Sequence, residues 1–295
     1  MKKTVIAPLI LLMAVFFAWF FYSNSLTYKI QKNAFAKKCT VNIAVIKDGR
    51  VWTANNKKVP LMSVFKYFVA LKVLDKIEKE NLSINDKILV TEDMIIKNTY
   101  SPMLKKYNKT PFSLTISDLT KYMVSQSDNN ATDILLSYVG GISKVQEYLN
   151  NIGFSDIHIS ADEKMMEADI KNQYINQSTP LDVIRLMKMM HESSILSKAS
   201  IAFLDKIMME TITGEDKLKA GLPKGTVFGH KTGMSSRKPD GIRIAENDAG
   251  FVILPNGEIY YIAVFVSESK MSDKENTALI AQISKIVYEH FAKLK

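Results

Sequence analysis

Met62-Ser63-Val64-Phe65-Lys66-Tyr67-Phe68-Val69-Ala70-Leu71-Lys72-Val73-Leu74-Asp75-Lys76-Ile77 is the segment on which the fold reading turns. Val64, Phe65, Phe68, Val69, Leu71, Leu74 and Ile77 leave almost no polar side, so the spacing predicts a helix buried on most of its surface. Such a helix must be enclosed by other elements, and the chain offers two kinds. Before it, Val41 to Lys47 alternate apolar and polar, Asp48-Gly49 reads as a hairpin turn, and Val51 to Ala54 as the returning strand. After it the pattern stays helical to about residue 210. Thr115-Ile116-Ser117-Asp118 marks the start of an apolar helix spanning Leu119 to Leu136, and Thr179-Pro180 marks another start. From about residue 225 strands return, at Val227 to Met234, Gly250 to Leu254 and Tyr260 to Ser267, with Pro255-Asn256-Gly257 turning the second into the third. Residues 26–38 and Thr277 to Lys293 read as terminal helices. Strands at both ends of a helical insert predict an α+β fold, an antiparallel sheet flanked by N- and C-terminal helices beside an all-helical subdomain. The expected division is 26–58 with 212–295 for the sheet-containing subdomain and 59–211 for the helical one. A cleft between two such lobes is a usual place for a small-molecule site.

Composition narrows the chemistry. The chain has 295 residues, 47% hydrophobic and 23% charged, an ordinary globular balance. Its net charge of +9 is spread along the sequence. Without a basic helix or an aromatic-interleaved patch, this argues against nucleic-acid binding. The single cysteine, Cys39, excludes an internal disulfide and a thiolate metal cluster. His158, His191, His230 and His290 form no metal or Ser-His-Asp spacing, and no glycine-rich phosphate loop occurs. Neither a cofactor nor a metal is expected. Lys2-Lys3 followed by an apolar run from Val5 to Tyr22 predicts that residues 1–25 are a signal peptide of an exported, periplasmic protein, cleaved between residues 22 and 27. The run is close to the ~20 residues of a spanning helix, so an uncleaved membrane anchor is the alternative.

Three short motifs carry chemistry. Ser63 and Lys66 open the buried helix at i and i+3, which brings a hydroxyl and an amine to one face. A serine needs a base to become a nucleophile, and a lysine in a low-dielectric site can be that base. The helix N-terminus also directs N–H groups to where an oxyanion would form. The spacing recurs at Ser235–Lys238 and Ser267–Lys270, so it is not specific alone. Ser127-Asp128-Asn129 interrupts the second apolar helix. It reads either as a local kink or as a site in which Ser127 relays a proton to a leaving nitrogen and Asn129 holds a substrate amide. Lys231-Thr232-Gly233 puts a cation, a hydroxyl and a residue without a side chain on a strand, where glycine permits close approach of a ligand.

In this order and on these elements, the three motifs are the set of class A β-lactamases and penicillin-binding proteins. The chain resembles class A β-lactamases over residues 26–295. It is most similar to the branch found in Bacteroidetes that includes extended-spectrum cephalosporinases. Met62-Ser63-Val64-Phe65-Lys66, Ser101-Pro102-Met103-Leu104, Gln126-Ser127-Asp128-Asn129-Asn130, His230-Lys231-Thr232-Gly233 and Ala263-Val264-Phe265-Val266 carry the likeness.

The resemblance implies a β-lactamase/transpeptidase-like fold and hydrolysis of β-lactam antibiotics through a covalent acyl-enzyme on Ser63. It implies Lys66 and Ser127 as proton-handling groups. Glu163, 36 residues after Ser127 and 68 before Lys231, would be the base that activates the deacylating water. Glu92, Asp93, Asp162 and Glu167 are the competing carboxylates. Ser63 and Met234 would supply the backbone N–H groups of an oxyanion hole, and Tyr100 an aromatic wall. Lys231 and Thr232 would hold the substrate carboxylate beside Gly233, with Lys217 where relatives place an arginine. Two positions depart from the family. Glu167 stands four residues after Glu163, where an asparagine is usual, and Ala161 and Asn176 stand where an Arg–Asp pair often braces the loop. The resemblance further implies a monomer that acts on a small β-lactam with no cofactor. A penicillin-binding D-alanyl-D-alanine carboxypeptidase shares all three motifs and lacks the deacylating glutamate. A non-catalytic exported homologue that binds a peptidoglycan-like ligand is the other alternative.

Overall fold

The computed structural model describes residues 25–35 and 38–293. The N-terminal apolar run and most of the expected signal segment lie outside the described residues. In chain order the elements are α1 (Leu26–Ala34), β1 (Thr40–Lys47), β2 (Arg50–Ala54), β3 (Val59–Pro60), α2 (Lys66–Lys79), β4 (Lys87–Val90), α3 (Pro102–Lys106), β5 (Phe112–Thr115), α4 (Ile116–Ser125), α5 (Asn129–Val139), α6 (Ile142–Asn151), α7 (Glu163–Ala168), β6 (Gln177–Ser178), α8 (Pro180–Glu192), α9 (Lys198–Met209), β7 (Val227–Met234), β8 (Arg243–Ile253), β9 (Ile259–Ser269) and α10 (Asp273–Ala292). Five strands form one antiparallel sheet in the order β2-β1-β9-β8-β7, so the first hairpin and the last three strands meet across the β1–β9 pair.

Both faces of the sheet are covered, and the period of two along each strand divides its side chains between two cores. Val41, Ile43, Val45, Ile262, Val264 and Val266 pack against Leu26 and Ile30 of α1 and Ile280, Ile283 and Val287 of α10. The intervening Ala44, Ile46, Ala263 and Phe265 face the helical body built around α2. The alternation read over Val41 to Lys47 therefore marks no solvent face. Asn42 is itself buried and accepts a hydrogen bond from the Lys57 N–H.

Two expectations are corrected. The helix spanning Leu119 to Leu136 is two helices, α4 and α5. Ser127 between them has φ 59°, in the left-handed region, and Asp128 caps α5 by accepting from the Ala131 N–H at 2.9 Å. The C-terminal helix starts at Asp273, ahead of Thr277, behind a reciprocal capping box of Ser272 and Glu275. Its first turn, Asp-Lys-Glu-Asn, is too polar to show in an apolar pattern.

Candidate active site

The turn that carries Ser63 is assembled by contacts from the sheet. Met62–Phe65 forms a single 3-10 turn that runs into α2 at Lys66. Asn247 of β8 donates to the carbonyls of Pro60 and Leu61 at 2.8 and 3.1 Å, which ties the turn to the sheet. Gly233 explains how β7 comes so near. A Cβ at this position would lie 2.6 Å from the Leu61 carbonyl oxygen and 3.2 Å from the Ser63 nitrogen. The absent side chain thus admits the nucleophile's own backbone. Gly233 also lines the cleft.

Lys66 is fully buried at the start of α2. Its ammonium donates to the Ser127 carbonyl and to Asn129 Oδ1, each at 2.7 Å, and lies 3.0 Å from Glu163 Oε1. Two hydrogen bonds and one ion pair hold the ammonium between the three groups. Lys66 thereby joins the first motif to the second and to the loop glutamate. Asn129 is engaged at both ends, since its Nδ2 donates to Thr99 Oγ1 at 2.8 Å.

The left-handed turn at Ser127 brings its hydroxyl to Lys231. Lys231 Nζ donates to Ser127 Oγ and to the Thr232 carbonyl, both at 2.9 Å. Burial, reinforced by the charges of Lys66 and Lys217, holds the Lys231 ammonium well below the usual lysine range. Asp128 braces the turn from behind through Ser101 Oγ and the Met103 N–H. Thr232 shares a hydrogen bond of 2.7 Å with Thr213, a partner the motifs did not indicate.

Glu163 is the first residue of α7. Its N–H donates to Asp133 Oδ1 at 2.9 Å, and the Lys164 N–H to Oδ2 at 3.0 Å. Burial pushes Asp133 up to about 7, aided by the charges of Asp162 and Glu163 and opposed by these two N–H groups. Asp162 caps α7 through the Met165 N–H. Glu167 is exposed on the cleft rim, while Glu92 is committed to Thr110 and Lys97 outside the cleft.

The Arg–Asp brace missing at Ala161 and Asn176 is replaced by an amide clasp. Asn176 Oδ1 accepts from the N–H groups of Ser160 and Ala161 at 2.9 and 3.0 Å, and its Nδ2 donates to the Ala161 carbonyl at 2.7 Å. A mutual pair of backbone bonds between His158 and Gln177 closes the loop's neck. Gln173 reaches the end of β7 through the Ser236 N–H at 3.1 Å.

These groups surround one cleft of about 520 Å³, lined by Ser63, Ser127, Glu163 and Thr232 among others. Tyr100 and Met234 stand at its mouth with 51% and 58% of their surfaces exposed. Lys217 also lines the cleft, but its ammonium sits 2.5 Å from Glu246 Oε1 and near the Gly233 and Asn247 carbonyls at 3.5 and 3.3 Å. His230 turns away from the chemistry and pairs with Asp248 at 2.9 Å. Asn247, Asp248 and Glu246 went unread in the sequence. Their one signal is a polar run, Glu246-Asn247-Asp248, inside an otherwise apolar strand. Among the described residues no group of three or more His, Cys, Asp or Glu could hold a metal ion.

Residues 25–291 match the β-lactamase enzyme family. The chain is 43% identical over 256 residues to a β-lactamase from Bacteroides uniformis, covering 86% of each protein. It is 39% identical to the β-lactamase VEB-1 from Pseudomonas aeruginosa, covering 98% of this chain and 99% of that one. A class A β-lactamase from Bacteroides cellulosilyticus superposes with a TM-score of 0.88 at 44% identity, covering 90% of this chain and 97% of the other. Sequence, fold and relatives agree that the chain belongs to the class A β-lactamases, hydrolases that open the β-lactam ring.

Proposed function

We propose that this β-lactamase works through a covalent acyl-enzyme on Ser63 that is cleared by water activated at Glu163. The observation that carries the reading is the position of Lys66, whose ammonium touches Ser127, Asn129 and Glu163 at once. In acylation the Lys66–Glu163 pair acts as one base: the Ser63 proton passes through water to the Glu163 carboxylate, or goes to Lys66 after its ammonium has handed a proton to Glu163. Ser63 Oγ attacks the lactam carbonyl, and the N–H groups of Ser63 and Met234 receive the oxyanion. The C–N bond then breaks, Ser127 gives its proton to the departing nitrogen, and the proton taken from Ser63 returns to Ser127 through Lys66, which restores the Glu163 carboxylate. Lys231, which donates to Ser127 Oγ, stabilises the oxygen that is left and supplies charge beside Thr232 for the substrate carboxylate. In deacylation Glu163 takes a proton from water, the hydroxide attacks the ester, and Ser63 Oγ leaves with the proton returned from Glu163.

The carboxypeptidase alternative lacks support at one point, since its acyl-enzyme needs no carboxylate at Glu163. We further propose that the protein is exported to the periplasm as a monomer, and that residues 26–58 with 212–295 and residues 59–211 are the two lobes flanking the cleft. No helix among the described residues is long and apolar enough to cross a membrane.

The test is mass spectrometry after brief exposure to a penicillin. The wild type is expected to gain one penicillin mass on the peptide containing Ser63, and Ser63→Ala to gain none while keeping its thermal transition. Labelling of another serine in Ser63→Ala would overturn the assignment.

A further inference from the structure

Lys217 and Glu246 form a buried ion pair in the wall of the cleft, and nothing in the reaction above uses Glu246. Both side chains are almost wholly enclosed, at 6% and 1% exposure. They meet at 2.5 Å, and the ammonium's other neighbours are the carbonyl oxygens of Gly233 and Asn247. Glu246 has a second cation only at 3.8 Å, the Arg243 guanidinium. Arg243 in turn is committed to Asp273 at 2.7 Å and to the Ser235 carbonyl.

We propose that Glu246 is a specificity-determining residue: it neutralises Lys217, so that the substrate carboxylate is recognised by Lys231 and the paired hydroxyls of Thr232 and Thr213 and not by Lys217. The inference rests on reading this cleft as the β-lactam site. An ammonium has three N–H bonds and no more. At Lys217 two carbonyl oxygens accept at 3.5 and 3.3 Å and the Glu246 carboxylate adds an ion pair at 2.5 Å, so the ammonium's charge is already met within the protein. A substrate carboxylate that reached for this lysine would have to displace Glu246, leaving a buried anion with Arg243 as its nearest remaining cation, at high cost. Glu246 therefore subtracts from the pull the cleft exerts on anionic substrates.

The test compares a penicillin with the methyl ester of the same penicillin, which lacks the carboxylate's negative charge. The readout is the ratio of kcat/KM for acid over ester. Glu246→Gln keeps the shape and uncovers the lysine, so the ratio is expected to rise about tenfold, mostly through KM for the acid. A ratio that stays level or falls would overturn the proposal. Lys217→Met/Glu246→Met removes both charges at nearly constant volume, a change that buried pairs often tolerate. Here the ratio is expected to stay within about threefold of wild type. A fall of tenfold or more would show that Lys217 binds the carboxylate directly, and would overturn the proposal even if Glu246→Gln failed to fold. Acylation of wild-type Ser63, scored separately by mass, distinguishes a failure of the site reading from a failure of this inference.

Discussion

Ser63 and Lys231 sit on elements whose backbones touch, whereas Glu163 sits on a loop tied down by side chains. On the first side, β7 runs so close to the Ser63 turn that only glycine fits at residue 233. On the second, α7 hangs from Asp133, Asp162 and the amide of Asn176, none of them in a catalytic motif. In the proposed reaction the acylating half is fixed by close packing, which tolerates almost no change. The deacylating half is fixed by hydrogen bonds, which can be removed one at a time. The two steps of the reaction therefore differ in what breaks them.

The largest effect is expected at the contact between strand and nucleophile. Gly233→Ala puts a methyl group against the Leu61 carbonyl and must push β7 from the Ser63 turn, which also displaces the Met234 N–H. Losing one oxyanion donor costs about 100- to 1,000-fold in kcat. The acylation rate, followed by stopped flow, should fall at least that far, and normal acylation would break the account of the packed half.

Asn176→Ala should act mainly on the other half. It leaves the N–H groups of Ser160 and Ala161 and the Ala161 carbonyl without their side-chain partner, a loss of about 1–3 kcal/mol per buried group left unsatisfied. The thermal transition should drop, and deacylation should slow more than acylation. Equal slowing of both steps would erase the distinction between the halves.

The smallest effect concerns pH. Asp133 is raised to about 7 in the folded protein from an ordinary aspartate value of 3.8. Between these values the folded state holds a proton that the unfolded state has lost, so stability must fall as pH rises through this window. The melting temperature of the wild type should decline relative to Asp133→Asn from about pH 4 to pH 7 and then run parallel to it. A difference that does not change with pH would remove Asp133 as the titrating anchor of α7.

The same contrast explains what the sequence could tell. The sheet, its flanking helices and the three motifs were legible because they are local: a period of two, a helical period, a spacing of three. Ser63, Lys66, Ser127 and Lys231 lie where those patterns placed them. Lys66 and Lys231 meet at Ser127, through its carbonyl and its hydroxyl, and Ser63 lines the same cleft. The break between α4 and α5 was legible only as one of two readings of Ser127-Asp128-Asn129, because both flanks are apolar, and Asp128's capping bond shows it to be the start of a new helix. Asn176 and Asp133 were out of reach for another reason. Their partners lie 15 and 30 residues away, and a single amide or carboxylate carries no periodic signal. Lys217 was read by its position, but its ammonium is paired with Glu246, on a strand 29 residues later.

The most direct test of the account is pre-steady-state turnover by Glu163→Gln. This variant keeps Ser63, the oxyanion donors and the shape of the loop, and removes only the base. A chromogenic cephalosporin should give a burst of about one equivalent followed by very slow turnover, with the acyl adduct on Ser63 seen by mass spectrometry. Glu167→Gln, on the exposed rim of the same loop, should turn over without such a burst. Rapid steady turnover by Glu163→Gln, or an adduct trapped by Glu167→Gln in its place, would contradict the assignment of the deacylating base.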